Sequence, residues 1–116
     1  MPILRTASEQ SSIIIVALHY PALDRAHEQG LQKLLVPLLK PNLKLLLDVS
    51  AVHSADSYGI RALMRLTKQI HALDGELKLC GLSQPLRELF QVLRLHHVLE
   101  IYNNVAEAER SFRLQC

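Results

Sequence analysis

The chain has 116 residues and a formal charge of +2; about half of the residues are apolar, with only two Phe, three Tyr and no Trp. That length fits one core built mainly of Leu, and roughly two-thirds of the surface an unfolded chain of this size exposes can be buried. The basic residues are scattered rather than gathered into the dense patch that a phosphate backbone requires, which argues against nucleic acid. The longest apolar runs, about six residues against the roughly twenty that span a bilayer, argue against membrane insertion.

In chain order, Ile3 to Ala7 is expected to pair antiparallel with Ile13 to Leu18, a β-branched run that reads as a buried strand. From Leu23 to Leu35 apolar residues recur at helical spacing, with Asp24 placed to cap the helix and Pro37 to bend or end it. Leu43 to Val49 is a near-unbroken Leu run, the pattern of a central parallel strand covered by helices. Ile60, Leu63, Met64, Ile70 and Leu73 make an apolar stripe on a helix from Ser57 to Leu73, terminated at Asp74-Gly75. Glu76 to Cys80 is a further strand, and Ser83 is placed to cap a helix reaching Leu93, with Pro85 in its first turn. A short strand from Val98 to Ile101 and a helix from Val105 to Phe112 complete an α/β pattern. It predicts a mixed sheet of four to five strands packed with about four helices, in one domain over 1–116.

The start Met1-Pro2-Ile3-Leu4-Arg5 lacks the basic segment and apolar stretch of a secretory signal, so the chain is expected to be cytoplasmic. Cys80 and Cys116 lie far apart and form no disulfide framework. Six histidines show neither His-x-x-x-His spacing nor a Cys-x-x-Cys partner, so no metal is expected. Gly-x-Gly-x-x-Gly and Walker phosphate loops are absent, so no cofactor is expected either. A serine hydrolase would need a Gly-x-Ser-x-Gly elbow around Ser57 and a matching base, and neither is found.

The stretch Asp48-Val49-Ser50-Ala51-Val52-His53-Ser54-Ala55-Asp56-Ser57-Tyr58-Gly59 resembles the signature of the STAS family, in which a strand ending in Asp-Leu-Ser leads to Asp-Ser-Ser/Thr-Gly and a helix. Gly81-Leu82-Ser83 and the helix after it are similar to the family's Gly-Leu-Ser segment. The resemblance covers roughly residues 10 to 112. It departs at Tyr58, where the family has a small Ser or Thr, and at Arg94, where a helix-ending Gly is frequent. There Arg94 must avoid the left-handed region or accept about 1–2 kcal/mol.

The resemblance to the anti-sigma factor antagonists implies a non-enzymatic regulator with no catalytic residues. Its partners would be an anti-sigma factor serine kinase, which phosphorylates Ser57, and a cognate phosphatase. It further implies a partner-binding face of Asp24, Asp56, Ser57, Tyr58, Gly59, Arg61 and Arg65, with Asp24 aligned by allowing one extra residue in His19-Tyr20-Pro21-Ala22. The alternative is a constitutive STAS subunit of a membrane ABC lipid-transport complex. The open sheet edge is compatible with a monomer or weak dimer. From the residue pattern alone, Ser57 or Asp56 caps the helix, Asp48 fixes the loop after its strand, and Arg61, Arg65 and Lys68 share one polar face.

Overall fold

The computed structural model describes residues 3–8 and 13–113, with side chains over 13–112. Strands β1 (Ile3–Ser8) and β2 (Ile13–Leu18) pair antiparallel, Ile3 opposite Leu18 and Ser8 opposite Ile13. The turn between them, and Cys116, lie outside the described residues. A two-residue strand β3 (Ala22–Leu23) leads into α1 (Arg25–Leu35), and Pro37 sits in the 3-10 turn Val36–Leu38 that follows. Then come β4 (Lys44–Asp48), a second two-residue strand β5 (Ser54–Ala55) and α2 (Ser57–Ala72). The chain continues through β6 (Glu76–Cys80), α3 (Gln84–Val92), a 3-10 turn (Leu95–His97), β7 (Glu100–Tyr102) and α4 (Val105–Arg113).

The main sheet has five strands in the order β1-β2-β4-β6-β7, parallel except at β1. Alternation along the strands sends side chains to two helical layers. Ile14, Val16 and Leu18 of β2, Leu45 and Leu47 of β4, and Leu77 and Leu79 of β6 join one core with Leu31, Leu35, Leu63, Leu66, Ile70, Leu86 and Phe90 of the first three helices. Ile13, Leu46 and Cys80 face the other way, against Ala108 and Phe112 of α4. The three successive leucines Leu45, Leu46 and Leu47 are each 0% exposed, which is why β4 carries no polar alternation.

Three local expectations change. The final strand lies at Glu100–Tyr102 rather than Val98 to Ile101, because Leu95–His97 is still turning and Leu99, 2% exposed, is held by a bond from its N–H to the Leu95 carbonyl. Ser83 occupies the cap position of α3 without a side-chain cap bond, and its buried hydroxyl has no partner among the described residues. Ser57 is not the cap of α2, since Asp56 takes that place.

The helix ends explain two positive-φ residues. At the end of α2, Asp74 (φ 60°) donates to the His71 carbonyl and Gly75 to the Ile70 carbonyl, the paired bonds of a left-handed C-terminal cap. Here Asp74, not Gly75, adopts the left-handed conformation. Gly75 is needed instead because a Cβ there would press on Leu43 and Ile70. After α3, Arg94 accepts the left-handed conformation (φ 57°, ψ 31°), so the steric penalty of about 1–2 kcal/mol is present.

Candidate functional site

The starts of α1 and α2 are built alike and stitched together. Strands β3 and β5 run parallel with Ala22 opposite Ser54 and Leu23 opposite Ala55, and each is followed at once by an aspartate that caps a helix. Asp24 accepts from the His27 N–H at 3.1 Å and contacts the His27 ring nitrogen Nδ1 at 2.7 Å. Asp56 accepts from the Gly59 N–H through Oδ1 at 3.0 Å and, through Oδ2, from the Arg25 N–H at 3.2 Å. It therefore caps its own helix and touches the first residue of the neighbouring one. The bond from Gly59 foremost, helped by that from Arg25, outweighs desolvation and holds the Asp56 carboxyl below the usual carboxylate range.

Because Asp56 does the capping, the Ser57 hydroxyl is free. Ser57 is the first residue of α2, exposed, and its side chain bonds to no other described residue. Gly59 makes this start possible: it is buried, and a Cβ there would overlap the Leu23 carbonyl, so only glycine lets α2 approach β3 this closely. Tyr58 is 40% exposed, its ring flanked by the Arg25 guanidinium at 5.3 Å and that of Arg61 at 5.8 Å.

Beside Ser57, an open apolar hollow of about 410 Å³ lies between α2 and α3, lined by Ala55, Asp56, Ser57, Ile60, Arg61, Leu89 and Leu93. Leu93 is 48% exposed, and its neighbour Val92 is 79% exposed. Arg61, Arg65 and Lys68 extend from this hollow along the exposed side of α2. The structure thus brings Asp24, Asp56, Ser57, Tyr58, Gly59 and Arg61 together, with Arg65 one turn further on.

A profile of the STAS domain matches residues 5–108. The chain belongs to the STAS domain family. BtrV of Bordetella bronchiseptica, a proposed anti-sigma factor antagonist, is similar at 27% identity over 70 residues, 60% of this chain and 60% of that one, so the match covers less than two-thirds of the relative. An anti-sigma-factor antagonist STAS protein from Planctomyces limnophilus shares the fold with a TM-score of 0.84 and 21% identity, over 96% of this chain and 97% of that one. The murine anion transporter Slc26a9 contains the same fold (TM-score 0.74, 21% identity), over 93% of this chain but 19% of the transporter.

On this STAS frame the remaining expected residues fall outside the Ser57 cluster. Asp48 accepts from the Ser50 N–H at 3.0 Å and shapes the loop after β4. Cys80 is 0% exposed, and burial first, then the nearby Asp48 charge, pushes its thiol up to about 12, which leaves it an unreactive core residue. His96 and His97 are exposed, with their rings 4.1 Å apart. Among the described residues no group of three His, Cys, Asp or Glu gathers to hold a metal, and no helix is long and apolar enough to cross a membrane.

Sequence reasoning missed Arg25, Ile60 as a surface group, Leu89 and Leu93. Ile60 and Leu89 read simply as apolar helix positions and Leu93 as a helix end, and Arg25 is brought to Tyr58 only by the pairing of β3 with β5. Two runs as short as Ala22–Leu23 and Ser54–Ala55 carry no periodic signal.

Proposed function

We propose that this STAS protein is a non-enzymatic regulator of the anti-sigma factor antagonist type. Unphosphorylated, it captures an anti-sigma factor serine kinase through the face centred on Ser57, and transfer of a phosphoryl group to the Ser57 hydroxyl releases it. A cognate phosphatase resets the cycle. The observation that carries this reading is the free, exposed hydroxyl of Ser57 at the first turn of α2, relieved of capping duty by Asp56. The similarity to BtrV and to the Planctomyces limnophilus protein supports it.

Physical chemistry places the switch at the interface rather than in the fold. A phosphate at the start of α2 gains only about 0.3–1 kcal/mol from the helix dipole, so the domain stays folded. The same group adds roughly −1.5 to −2 charges to a surface that had met its partner with a neutral hydroxyl. Burying it uncompensated opposes binding by several kcal/mol, and each 1.4 kcal/mol is tenfold in affinity.

The test is intact-mass spectrometry of the protein from its own cells, followed by in vitro phosphorylation with purified serine kinases from the same organism. One added phosphate on Ser57, lost in Ser57→Ala, and kinase binding weakened at least about tenfold by Ser57→Asp are expected. The occurrence of this fold inside a membrane transporter favours a second reading, a constitutive subunit of a membrane complex. That reading requires full binding by Ser57→Asp and no phosphate under any growth condition.

A further inference from the structure

The hollow between α2 and α3 is mostly apolar, with one cation, Arg61, in its lining. Ile60, Leu89 and Leu93 are among its apolar lining residues. Arg61, Arg65 and Lys68 stand at spacings of four and three on α2, so they share one exposed face. None of them forms an ion pair with a described residue, and α2 contains no Asp or Glu. The carboxylate lining the hollow, Asp56, is occupied by the N–H groups of Gly59 and Arg25. The cations are thus left without counter-charge among the described residues, next to aliphatic side chains that no described residue covers.

We propose that this surface receives one amphipathic helix of a partner protein, an aliphatic row seated on Ile60, Leu89 and Leu93 and acidic residues facing Arg61, Arg65 and Lys68. The inference rests on the docking role given above to the α2 face, but needs no phosphorylation. A helix fits because the groove lies between two helices, and the edge strands of the five-stranded sheet, β1 and β7, contribute no residue to its lining. A protein fits better than an anionic lipid surface because the apolar groups lie in a hollow and the Asp56 carboxylate stands at its rim. Acidic residues on the partner also account for release: a phosphate on Ser57 adds like charge beside them and competes for Arg61.

The probe is a synthetic helical peptide of roughly four turns, with Leu along one side and Glu along both flanks, and a matched peptide with Lys in place of Glu. Methyl NMR of the whole chain reads the contact. The Glu peptide is expected to shift the Ile60, Leu89 and Leu93 methyls, and its affinity to fall about tenfold in Arg61→Glu and less in Arg65→Glu. The Lys peptide should bind Arg61→Glu better than the parent. Leu93→Gln, with an unchanged melting temperature, should weaken the Glu peptide without altering its charge preference.

Equal binding of both peptides, or shifts confined to another face, overturns the proposal. So does binding to phosphatidylglycerol vesicles, abolished by Arg61→Glu, when the Glu peptide leaves those methyls unmoved, since that assigns the surface to lipid. Failure of the peptide arm with Ser57 phosphorylated and the kinase bound would remove this docking chemistry alone. Success of the peptide arm with Ser57 never phosphorylated would remove the switch alone.

Discussion

The two faces of the sheet solve the same burial problem differently. On one face, α1, α2 and α3 cover an aliphatic layer in which Leu45, Leu47, Leu63 and Ile70 are each 1% exposed or less. On the other, α4 is the one described helix that covers Ile13, Leu46 and Cys80, and in the same layer lies Lys78, a lysine with 0% exposure. Its ammonium donates to the Ser111 hydroxyl at 2.7 Å, lies 3.5 Å from the half-exposed Glu100 carboxylate, and sits 4.3 Å from the Phe112 ring centre and 5.4 Å from that of Tyr102. Among the described residues the three-helix face buries no charge, its buried Thr67 hydroxyl donating to the Leu63 carbonyl of its own helix, and it presents the candidate docking surface on its outside. The α4 face uses a buried charge, so its helix is positioned by direction-dependent contacts as well as by apolar area.

Breaking the apolar face has the largest expected effect. Leu47→Ala should cost about 2–5 kcal/mol, read as a lower urea midpoint with an unchanged slope, because the packed layer cannot close over the cavity. Gly59→Ala should cost about 1–3 kcal/mol, since its methyl meets the Leu23 carbonyl rather than a flexible side chain. It should also move the amide signals of Asp56 and Ser57. An unshifted melting temperature in Gly59→Ala would show that the start of α2 is not held against β3 as described.

The α4 face sharpens the contrast. Ser111→Ala removes the hydroxyl partner of a buried charge and should cost about 1.5–3 kcal/mol. Lys78→Met removes the charge itself and should leave stability within about 1 kcal/mol of the parent, or raise it. If Lys78→Met is the more damaging, the ammonium is a net contributor and the two faces differ less than their composition suggests.

The smallest effect is the acid dependence of the Asp56 cap. Its carboxyl is held below the usual carboxylate range, so the folded state favours the ionised form. The stabilisation is present above the unfolded carboxylate range and is lost as pH falls through the depressed folded value. The melting temperature of Asp56→Asn should therefore lie below that of the parent at neutral pH, with the gap narrowing in acid. A gap independent of pH would assign the cap to shape rather than charge.

Much of the fold was legible because periodicity records which face of an element is dry. The Leu43 to Val49 run, the stripe from Ile60 to Leu73 and the Asp48-to-Gly59 motif pointed to a central strand and the helix that carries Ser57. Single residues at boundaries were less legible. Asp56 and Ser57 are both good caps by type, and the competition was decided by the position of β5 beside β3, which brings the Arg25 N–H to the second carboxylate oxygen. Lys78 gave no sign of burial, since a lysine within an alternating strand reads as solvent-facing until α4 is laid over it.

The sequence by itself determined the order of the main-sheet strands and the four helices, the two-sided burial of β4 and the strand-to-helix setting of Ser57, because these depend on local patterns of apolar and turn-forming residues. Only the tertiary structure decided that Asp56 frees the Ser57 hydroxyl, that Arg25 meets Arg61 across Tyr58, and that Leu89 and Leu93 open a hollow beside α2. Each of these joins residues brought together by the pairing of short strands or the packing of separate helices. Such neighbours are fixed by long-range geometry, which a one-dimensional pattern does not record.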